Sequence, residues 1–322
     1  MAGDPGPYLP MLATTGEHIP SGPEWVHEVK WDGIRILTRT ADTGAGIVAR
    51  TRTGNDVTPA WPELRPGPAR PMVVDGEVIA LNDDGLPDFR ALADRMHLRG
   101  AGSVRRAARA RPATYVVFDL LSLDGRDLRP LPWTERRRLL AGLDLGGWQV
   151  VPTYDDGAML HHATWEQGLE GTVAKRRTSA YRSGERSRDW LKFAHRVRGS
   201  YVVGGWRPQV GTRDRLAAVL VGEPTPAGLI YRGRVGSGIG MRMSGRLRGL
   251  LTPATASPFA GAEVDPGGGV PEIDARGTTW TEPTVVVEVE VHGRHVYDRL
   301  RQPALVGIRA DLAPDDLRGG AR

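Results

Sequence analysis

The chain has 322 residues, of which 40% are hydrophobic and 25% charged, so it can bury a core and is not a disordered chain. It contains no cysteine, which excludes disulfides, thiolate metal sites and cysteine nucleophiles and is typical of a reducing cytoplasm. The net charge is +5, and the sequence shows neither a secretory leader nor an apolar run long enough to cross a bilayer. We therefore expect a cytoplasmic protein of two domains that does not contact membranes.

The first part of the chain has the patterns of both strands and helices. Alternating apolar and β-branched residues predict strands at Trp25–Val29, Ile34–Arg39, Ile47–Arg50, Met72–Ala80 and Thr114–Leu121. Helical spacing of apolar residues predicts two helices, at Asp88–Leu98 and Trp133–Leu143.

The pattern changes after Lys192, where short strands dominate. They are predicted at Tyr201–Trp206, Leu216–Val221, Gly228–Val235 and Thr284–Val291. A helix at Met241–Leu250 completes what resembles a small β-barrel, and the proline- and glycine-rich stretch Thr252–Gly277 is predicted to be a long surface loop. We expect one domain at residues 1–197 and a second at residues 198–322.

Lysine is rare in this chain. Of 43 basic residues only three are lysines, Lys30, Lys175 and Lys192, and the others are arginines. A lysine amine can lose its proton and act as a nucleophile, whereas a guanidinium stays protonated. The three lysines are therefore candidates for chemistry.

Several short motifs place polar groups at strand ends. Lys30 lies in a strand–turn–strand segment, Glu28–Arg35, with an acidic residue two positions away on either side. Asp75-Gly76-Glu77 follows a strongly apolar run, and its carboxylates could accept ribose hydroxyls, bind a metal or belong to an ordinary hairpin. Phe118 fits either a core position or a base-stacking platform.

Two clusters of basic residues could contact a phosphate backbone or form solvated faces. The first comprises Arg95, Arg99, Arg105, Arg106, Arg109 and Arg111. The second comprises Arg176, Arg177, Arg182, Arg186, Arg188, Lys192, Arg196 and Arg198.

The order of the motifs along the chain is more specific than any one of them. The series is Lys30-Trp31-Asp32-Gly33, Arg52-Thr53-Gly54, Asp75-Gly76-Glu77, Phe118-Asp119, Glu170-Gly171, Trp190-Leu191-Lys192 and Arg309-Ala310-Asp311. It resembles the motif series of the ATP-dependent DNA ligases, which are covalent nucleotidyltransferases like the RNA ligases and the mRNA capping enzymes. The resemblance covers almost the whole chain and is to the compact bacterial type of DNA repair and end joining.

This resemblance implies a fold and a reaction. The fold is α+β: a nucleotidyltransferase (ATP-grasp-like) domain of antiparallel sheets and helices, followed by a C-terminal OB-fold β-barrel. In the reaction, Lys30 attacks the α-phosphate of ATP to form lysyl-AMP, the AMP passes to a 5′-phosphate, and a 3′-hydroxyl then seals the break, with Mg²⁺ or Mn²⁺.

The resemblance also implies roles for individual residues. Catalytic roles fall to Lys30, Asp32, Lys192, Arg309 and Asp311. Nucleotide contacts fall to Glu28, Lys30, Arg35, Arg52, Glu77, Phe118, Val173, Lys175, Arg186 and Lys192. Metal-binding carboxylates are Glu170 and Glu77. Phe118 and Val173 would lie on the two faces of adenine, and Arg309 and Asp311 would close over ATP.

Two positions depart from the family pattern, because Ala194 and Leu312 stand where the family has lysine. If the strand continues past residue 194, Arg196 shares a face with Lys192 and is expected to reach the vacancy. The alternatives are an RNA ligase, a GTP-using capping-type enzyme, or a catalytically impaired nucleic-acid-binding relative. The expected partners are nicked or broken duplex DNA and also Ku or a repair polymerase, for a nucleoid-associated monomer.

Overall fold

A computed structural model describes residues 8–41, 46–65, 67–96, 98, 100–212, 215–261, 264, 269–292 and 299–318. The chain forms two compact units, one ending at Ala194 and the next beginning at His195. The sequence placed this boundary between residues 197 and 198. Within the described ranges, no helix has the length and apolar character needed to cross a bilayer.

The first unit contains ten strands and four helices within the described residues. The strands are β1 Leu12–Thr15, β2 Trp25–Val29, β3 Ile34–Thr40, β4 Ile47–Thr51, β5 Met72–Ala80, β6 Ala113–Leu123, β7 Arg126–Asp127, β8 Gln149–Val150, β9 Gly171–Arg176 and β10 Arg186–Ala194. The helices are α1 Phe89–Met96, α2 Ala101–Ala110, α3 Trp133–Ala141 and α4 Gly157–Glu166.

These strands form two sheets. One has the order β1-β10-β9-β2, and the other has the order β4-β3-β5-β6-β7 with β8 added beside β6. The pairings are antiparallel except for β1 with β10 and β6 with β8, which are parallel. The sheets are therefore antiparallel as predicted, apart from these two parallel pairings.

Successive side chains of β5 point alternately to the main core and to a face that carries polar groups. Val74 and Val78 face the main core, which also contains Leu92 of α1 and Leu140 of α3. Because successive side chains of a strand point to opposite faces, Asp75 and Glu77 lie on the other face of the sheet.

The second unit is mainly one antiparallel sheet. Its elements are β11 Arg196–Pro208, β12 Leu216–Thr225, β13 Gly228–Val235, α5 Met241–Leu250, α6 Glu272–Ala275, β14 Thr279–Trp280, β15 Val286–His292 and β16 Ala304–Ile308. The strand order is β13-β12-β11-β15-β16. The segment after β13 meets the opposite edge, because Leu305 N–H in β16 donates to the Ser237 carbonyl at 2.9 Å. The two edges thus approach each other, as closure of a barrel requires.

The stretch predicted as a surface loop, Thr252–Gly277, is partly ordered into the fold. Phe259 is 9% exposed and packs edge-on against Tyr231 and Trp280. Helix α6 also lies in this stretch, so the prediction of a long surface loop is wrong at Phe259, which is buried, and at α6, which is helical.

Candidate active site

A cavity of about 320 Å³ lies in the first unit, lined by strands of both its sheets. The lining residues are Leu12, Ala13, Glu28, Val29, Lys30, Trp31, Arg35, Arg52, Glu77, Phe118, Val173, Lys175, Arg186, Trp190 and Lys192. Every side chain for which the sequence predicts a nucleotide contact belongs to this set. All three lysines of the chain meet here.

Lys30 is held at the start of a tight turn. Its backbone N–H donates to the Gly171 carbonyl at 2.9 Å, and its Nζ lies 2.6 Å from Glu170 Oε1. A Cβ on Gly33 would lie 2.2 Å from the Val78 carbonyl oxygen. Only glycine fits at position 33, so the Lys-x-Asp-Gly sequence lets β3 begin close against β5.

A second glycine fixes the carboxylate that faces Lys30. Gly171 has a φ of 142°, and a Cβ there would lie 2.1 Å from the Phe193 carbonyl oxygen and 2.9 Å from Ala194 Cα. Glycine is therefore required where β9 begins beside β10, and the preceding residue, Glu170, is held next to Lys30.

Glu28 and Lys175 form a buried ion pair at the wall of the cavity. Their charged atoms are 2.6 Å apart, and the side chains are 3% and 2% exposed. Burial raises the pKa of Glu28 and lowers the pKa of Lys175, because both charged forms lose water, and the partner charge opposes both shifts. The second oxygen of Glu28, Oε1, has no hydrogen-bond partner among the described residues.

Phe118 is surrounded by cations and by a second aromatic ring. Lys175 Nζ lies 4.6 Å from its centroid and the Arg35 guanidinium carbon 5.3 Å from it. Trp190 packs edge-on at 6.1 Å. Phe118 therefore both packs against the core and lines the cavity, so the two readings of its sequence position are compatible.

Glu77 is a buried carboxylate in the cavity lining whose pKa is strongly raised. Burial raises its pKa to about 8, Lys30 and Arg35 oppose this, and Glu170 and Asp75 add to it. Two carboxylates that face the same site repel each other when both are ionised, so one of them tends to keep its proton.

Replacing Glu77 with glutamine is expected to change how stability depends on pH. Folded Glu77 keeps its proton up to about pH 8, whereas an unfolded glutamate loses it nearer its ordinary value. Between these two pKa values the unfolded state binds fewer protons, so the stabilising contribution of Glu77 falls as pH rises and is lost above the folded pKa. Scanning calorimetry should give a Tm difference, Glu77→Gln minus unchanged chain, that is more positive at about pH 9 than at about pH 5. Equal differences would contradict this assignment.

Three predicted catalytic residues lie outside the cavity lining. Asp32 is 5% exposed and lies two residues after Lys30, in the segment between β2 and β3. Arg309 and Asp311 belong to the second unit, where the Arg309 Nε and Nη2 atoms donate to the Asp311 carboxylate at 2.8 and 2.7 Å. Hydrogen bonding from Arg309 lowers the pKa of Asp311 to about 2.

The strand that carries Lys192 ends earlier than the sequence suggested. β10 ends at Ala194, and Arg196 begins β11 in the second unit, where it pairs with Glu290. The expectation that Arg196 lies on the same strand face as Lys192 and fills the vacancy at Ala194 is therefore wrong. Leu312, the other departure, is partly buried and packs against an apolar cluster of the second unit.

The first basic cluster divides into buried and exposed members. Arg95 is 2% exposed and donates to Glu63 at 2.8 and 2.7 Å, so it cannot contact DNA. Arg105, Arg106 and Arg109 are exposed on α2. Arg99 lies outside the described residues.

The second basic cluster is not a continuous positive face. Many of its members pair with acidic residues: Arg176 and Arg182 with Asp189, Arg177 with Asp155, and Arg196 and Arg198 with Glu290. Neutralised cations of this kind contribute less to phosphate binding than free ones.

Two residues of the site were not singled out from the sequence. Trp190 lines the cavity on the same face of β10 as Arg186 and Lys192, and alternation along the strand could have indicated this. Tyr181 is 4% exposed and hydrogen-bonds Asp75, which is 106 residues away in sequence. No local pattern predicts such a pair.

Two family models match the chain in the order of its units. The model of the ATP dependent DNA ligase domain matches residues 10–194, and that of the ATP dependent DNA ligase C terminal region matches residues 212–312. The chain belongs to the ATP-dependent DNA ligase family. The predicted family and the predicted α+β fold class are confirmed.

Relatives of this ligase-family chain include a longer protein. It is 35% identical to the multifunctional non-homologous end joining protein LigD of Mycolicibacterium smegmatis, over 97% of this chain and 40% of the relative. The ligase domain of M. tuberculosis LigD is similar in structure, with a TM-score of 0.53, 34% identity, and coverage of 96% of this chain and 97% of that one. A mycobacterial DNA ligase D solved with ATP and MES has a TM-score of 0.55 at 34% identity, covering 96% of this chain and 97% of that one. The ligase-family chain thus spans less than half of the curated relative.

Proposed function

We propose that this chain is an ATP-dependent DNA ligase that seals breaks between a 3′-hydroxyl and a 5′-phosphate through a lysyl-AMP intermediate, in DNA repair by end joining. The observation that carries the proposal is the position of Lys30. It lies in one cavity with the other two lysines and with Phe118, and its amine is paired with Glu170.

The cavity suits an adenine base. Phe118 and Val173 are both in its lining, where they would pack on the two faces of the base. Glu28 Oε1 is an acceptor without a partner among the described residues, and the exocyclic amine of adenine is a donor. Guanine has a carbonyl at that place, so the same oxygen would repel it.

In the first step, the Lys30 amine attacks the α-phosphate and pyrophosphate leaves. The attacking nitrogen must lose a proton, and Glu170 Oε1, at 2.6 Å, is the acceptor next to it. Lys192 would hold the α-phosphate, with Lys175, Arg186 and Arg52 as further cations at the same cavity. Arg309 and Asp311 would act in this step by orienting the pyrophosphate.

In the second and third steps, the AMP passes to the 5′-phosphate and the 3′-hydroxyl displaces it. Asp32 would act near the reacting end, and Arg35 would bind the ribose, a phosphate or the nick end. Because the bonds that change are all phosphoryl bonds, the side chains act by positioning and by stabilising charge.

The carboxylates of the cavity fit a cation that arrives with ATP. The described residues contain no group of three acidic, histidine or cysteine side chains that could hold a metal alone. Mg²⁺ is commonly bound by one or two carboxylates together with substrate phosphates, and Glu170 and Glu77 interact electrostatically here. We propose these two residues as the ligands of Mg²⁺ or Mn²⁺; the bound cation would favour the ionised form of Glu77 and would neutralise charge on the phosphates.

The partners follow from the family and from the relatives. We propose nicked or broken duplex DNA as the substrate, a monomeric and nucleoid-associated enzyme in the cytoplasm, and Ku or a repair polymerase acting beside it. The name of the curated LigD relatives, which refers to non-homologous end joining, supports this placement.

Incubation with α-labelled ATP or GTP separates the candidate functions. Label retained on the denatured protein from ATP, and not from GTP, is the expected result. Label from GTP alone would favour a capping-type enzyme, and label from neither would favour the catalytically impaired nucleic-acid-binding relative.

Neutralising Arg105, Arg106 and Arg109 together is expected to weaken binding to nicked DNA and to flatten its salt dependence. Each phosphate contact that is lost should reduce the slope of log K against log salt by about one. The measurement is fluorescence anisotropy over a series of salt concentrations.

A matched control neutralises three exposed arginines that already pair with an acidic residue within their own turn. These are Arg138, Arg276 and Arg318. This control should leave the slope unchanged. If neutralising Arg105, Arg106 and Arg109 leaves the salt slope unchanged, this face of α2 contacts solvent and not DNA.

A further inference from the structure

Tyr181 is a buried residue that belongs to none of the sequence motifs. It lies in the segment between β9 and β10 and is 4% exposed. Its hydroxyl donates to Asp75 Oδ2 at 2.6 Å and accepts the backbone N–H of Met11 at 2.9 Å. The hydroxyl is therefore fixed from two sides.

The carboxylate that Tyr181 contacts is also the partner of Arg35. Arg35 Nε donates to Asp75 Oδ1 at 2.9 Å, and Nη2 donates to Oδ2 at 2.6 Å. Asp75 is fully buried, whereas Arg35 lines the cavity. A continuous path of hydrogen bonds thus runs from the backbone of Met11 to a guanidinium in the cavity.

We propose that Tyr181 is a positioning residue for Arg35, acting through Asp75 in the reaction proposed above, on which this inference rests. A carboxylate bound only by a guanidinium can rotate together with it. A third donor from another segment of the chain, here to Oδ2, restricts that rotation, and hence the direction in which the guanidinium faces the substrate.

The aromatic ring of Tyr181 has a separate packing role. It packs edge-on against Trp190 at 5.7 Å, and the guanidinium carbon of Arg136 lies 5.8 Å from its centroid. Phenylalanine keeps the ring, so Tyr181→Phe removes only the hydroxyl. Tyr231→Phe is the matched control, because Tyr231 is also buried, at 1%, and its hydroxyl donates to a carboxylate, that of Asp274 in the second unit.

Single-turnover rates of adenylylation and of sealing by the pre-adenylylated protein test the proposal. Tyr181→Phe is expected to slow, by roughly tenfold, the same step that Arg35→Ala slows, which is the effect of one lost hydrogen bond to a charged group. Tyr231→Phe should change neither rate by more than about twofold.

A double-mutant cycle separates positioning from a general structural effect. If Tyr181 acts through Arg35, adding Tyr181→Phe to Arg35→Ala should leave the rate nearly unchanged. Multiplying losses, or equal effects of the two tyrosine variants, would overturn the inference. If the unchanged chain forms no AMP adduct, the proposed function itself fails. The adenylylation assay on the unchanged chain shows this before any variant is made.

A measurement on the unchanged chain is independent of whether the variant folds. The Nε–H proton of Arg35 should exchange with water far more slowly in NMR than that of exposed Arg105. The reason is that Asp75, which accepts this proton, and Tyr181, which contacts Asp75, are both buried. Equally fast exchange would mean that Asp75 does not hold Arg35, and would overturn the inference.

Discussion

Lys30→Arg is expected to abolish the protein–AMP adduct although the charge is unchanged. A guanidinium stays protonated at neutral pH and has no free electron pair with which to attack phosphorus. The carboxylate of Glu170, 2.6 Å from the Lys30 amine, would still form an ion pair with arginine, so the fold should persist. We expect adduct formation to fall by at least about 1000-fold in a single-turnover assay with labelled ATP.

The control for this variant is Arg106→Lys, a swap between the same two residue types on the exposed face of α2. It should form the adduct at the unchanged rate. A normal rate of adduct formation in Lys30→Arg would mean that another residue is the nucleophile, and that Lys30 contributes only charge.

Arg136→Leu is expected to destabilise the first unit strongly. Arg136 is fully buried and donates to both carboxylate oxygens of Asp119, at 2.7 and 2.8 Å, and also to the carbonyls of Leu131 and Ser179. Removing it leaves a buried carboxylate without its charge partner, a loss of about 3–5 kcal/mol. The Tm of this unit should fall by roughly 6–20 °C in scanning calorimetry.

Arg138→Leu is the matched control, because Arg138 lies on the same helix but is 69% exposed and pairs with Glu135, three residues earlier. Its effect should be within about 0.5 kcal/mol. Adding Asp119→Asn to Arg136→Leu should recover part of the loss, because the buried charge is then gone. If the two leucine variants melt alike, the buried pair does not stabilise this unit.

The Arg136–Asp119 ion pair is linked to the cavity through the backbone of β6. Asp119 follows Phe118 directly, and the Phe118 carbonyl accepts from Lys175 Nζ at 3.3 Å. A shift of β6 after the loss of Arg136 would therefore move the platform for adenine as well. Weaker ATP binding should accompany the lower stability.

Strands with clear alternation could be predicted from the sequence, whereas polar or arginine-rich elements could not. Trp25–Val29 and Met72–Ala80 have the predicted bounds. Helix α2 was missed because its apolar positions, apart from Val104, are alanines, which give only a weak apolar signal; Val104 is its one buried residue among those described. Only the second half of β10, around Lys192, was predicted as a short β-like run, because its first half is charged.

The cavity residues were predictable because the ligase motifs follow one another in a fixed order, and that order depends on the fold. Contacts between a motif residue and a residue outside all motifs could not be predicted from the sequence. Arg35 is a motif residue, but its support by Tyr181 depends on a pairing of distant segments. The error at Arg196 has a physical reason, since alternation is read along a sequence and His195 interrupts the strand there.

Sealing of a nicked duplex tests the proposed ligase activity most directly. The substrate has a 5′-phosphate and a 3′-hydroxyl at the nick, with DNA or RNA placed on each side of the break in turn. We expect the chain to convert the nicked DNA strand to a continuous one when ATP and Mg²⁺ or Mn²⁺ are present, and not when GTP replaces ATP. Sealing of RNA without sealing of DNA would contradict the proposed activity, as would a stable AMP adduct that never leads to a sealed strand.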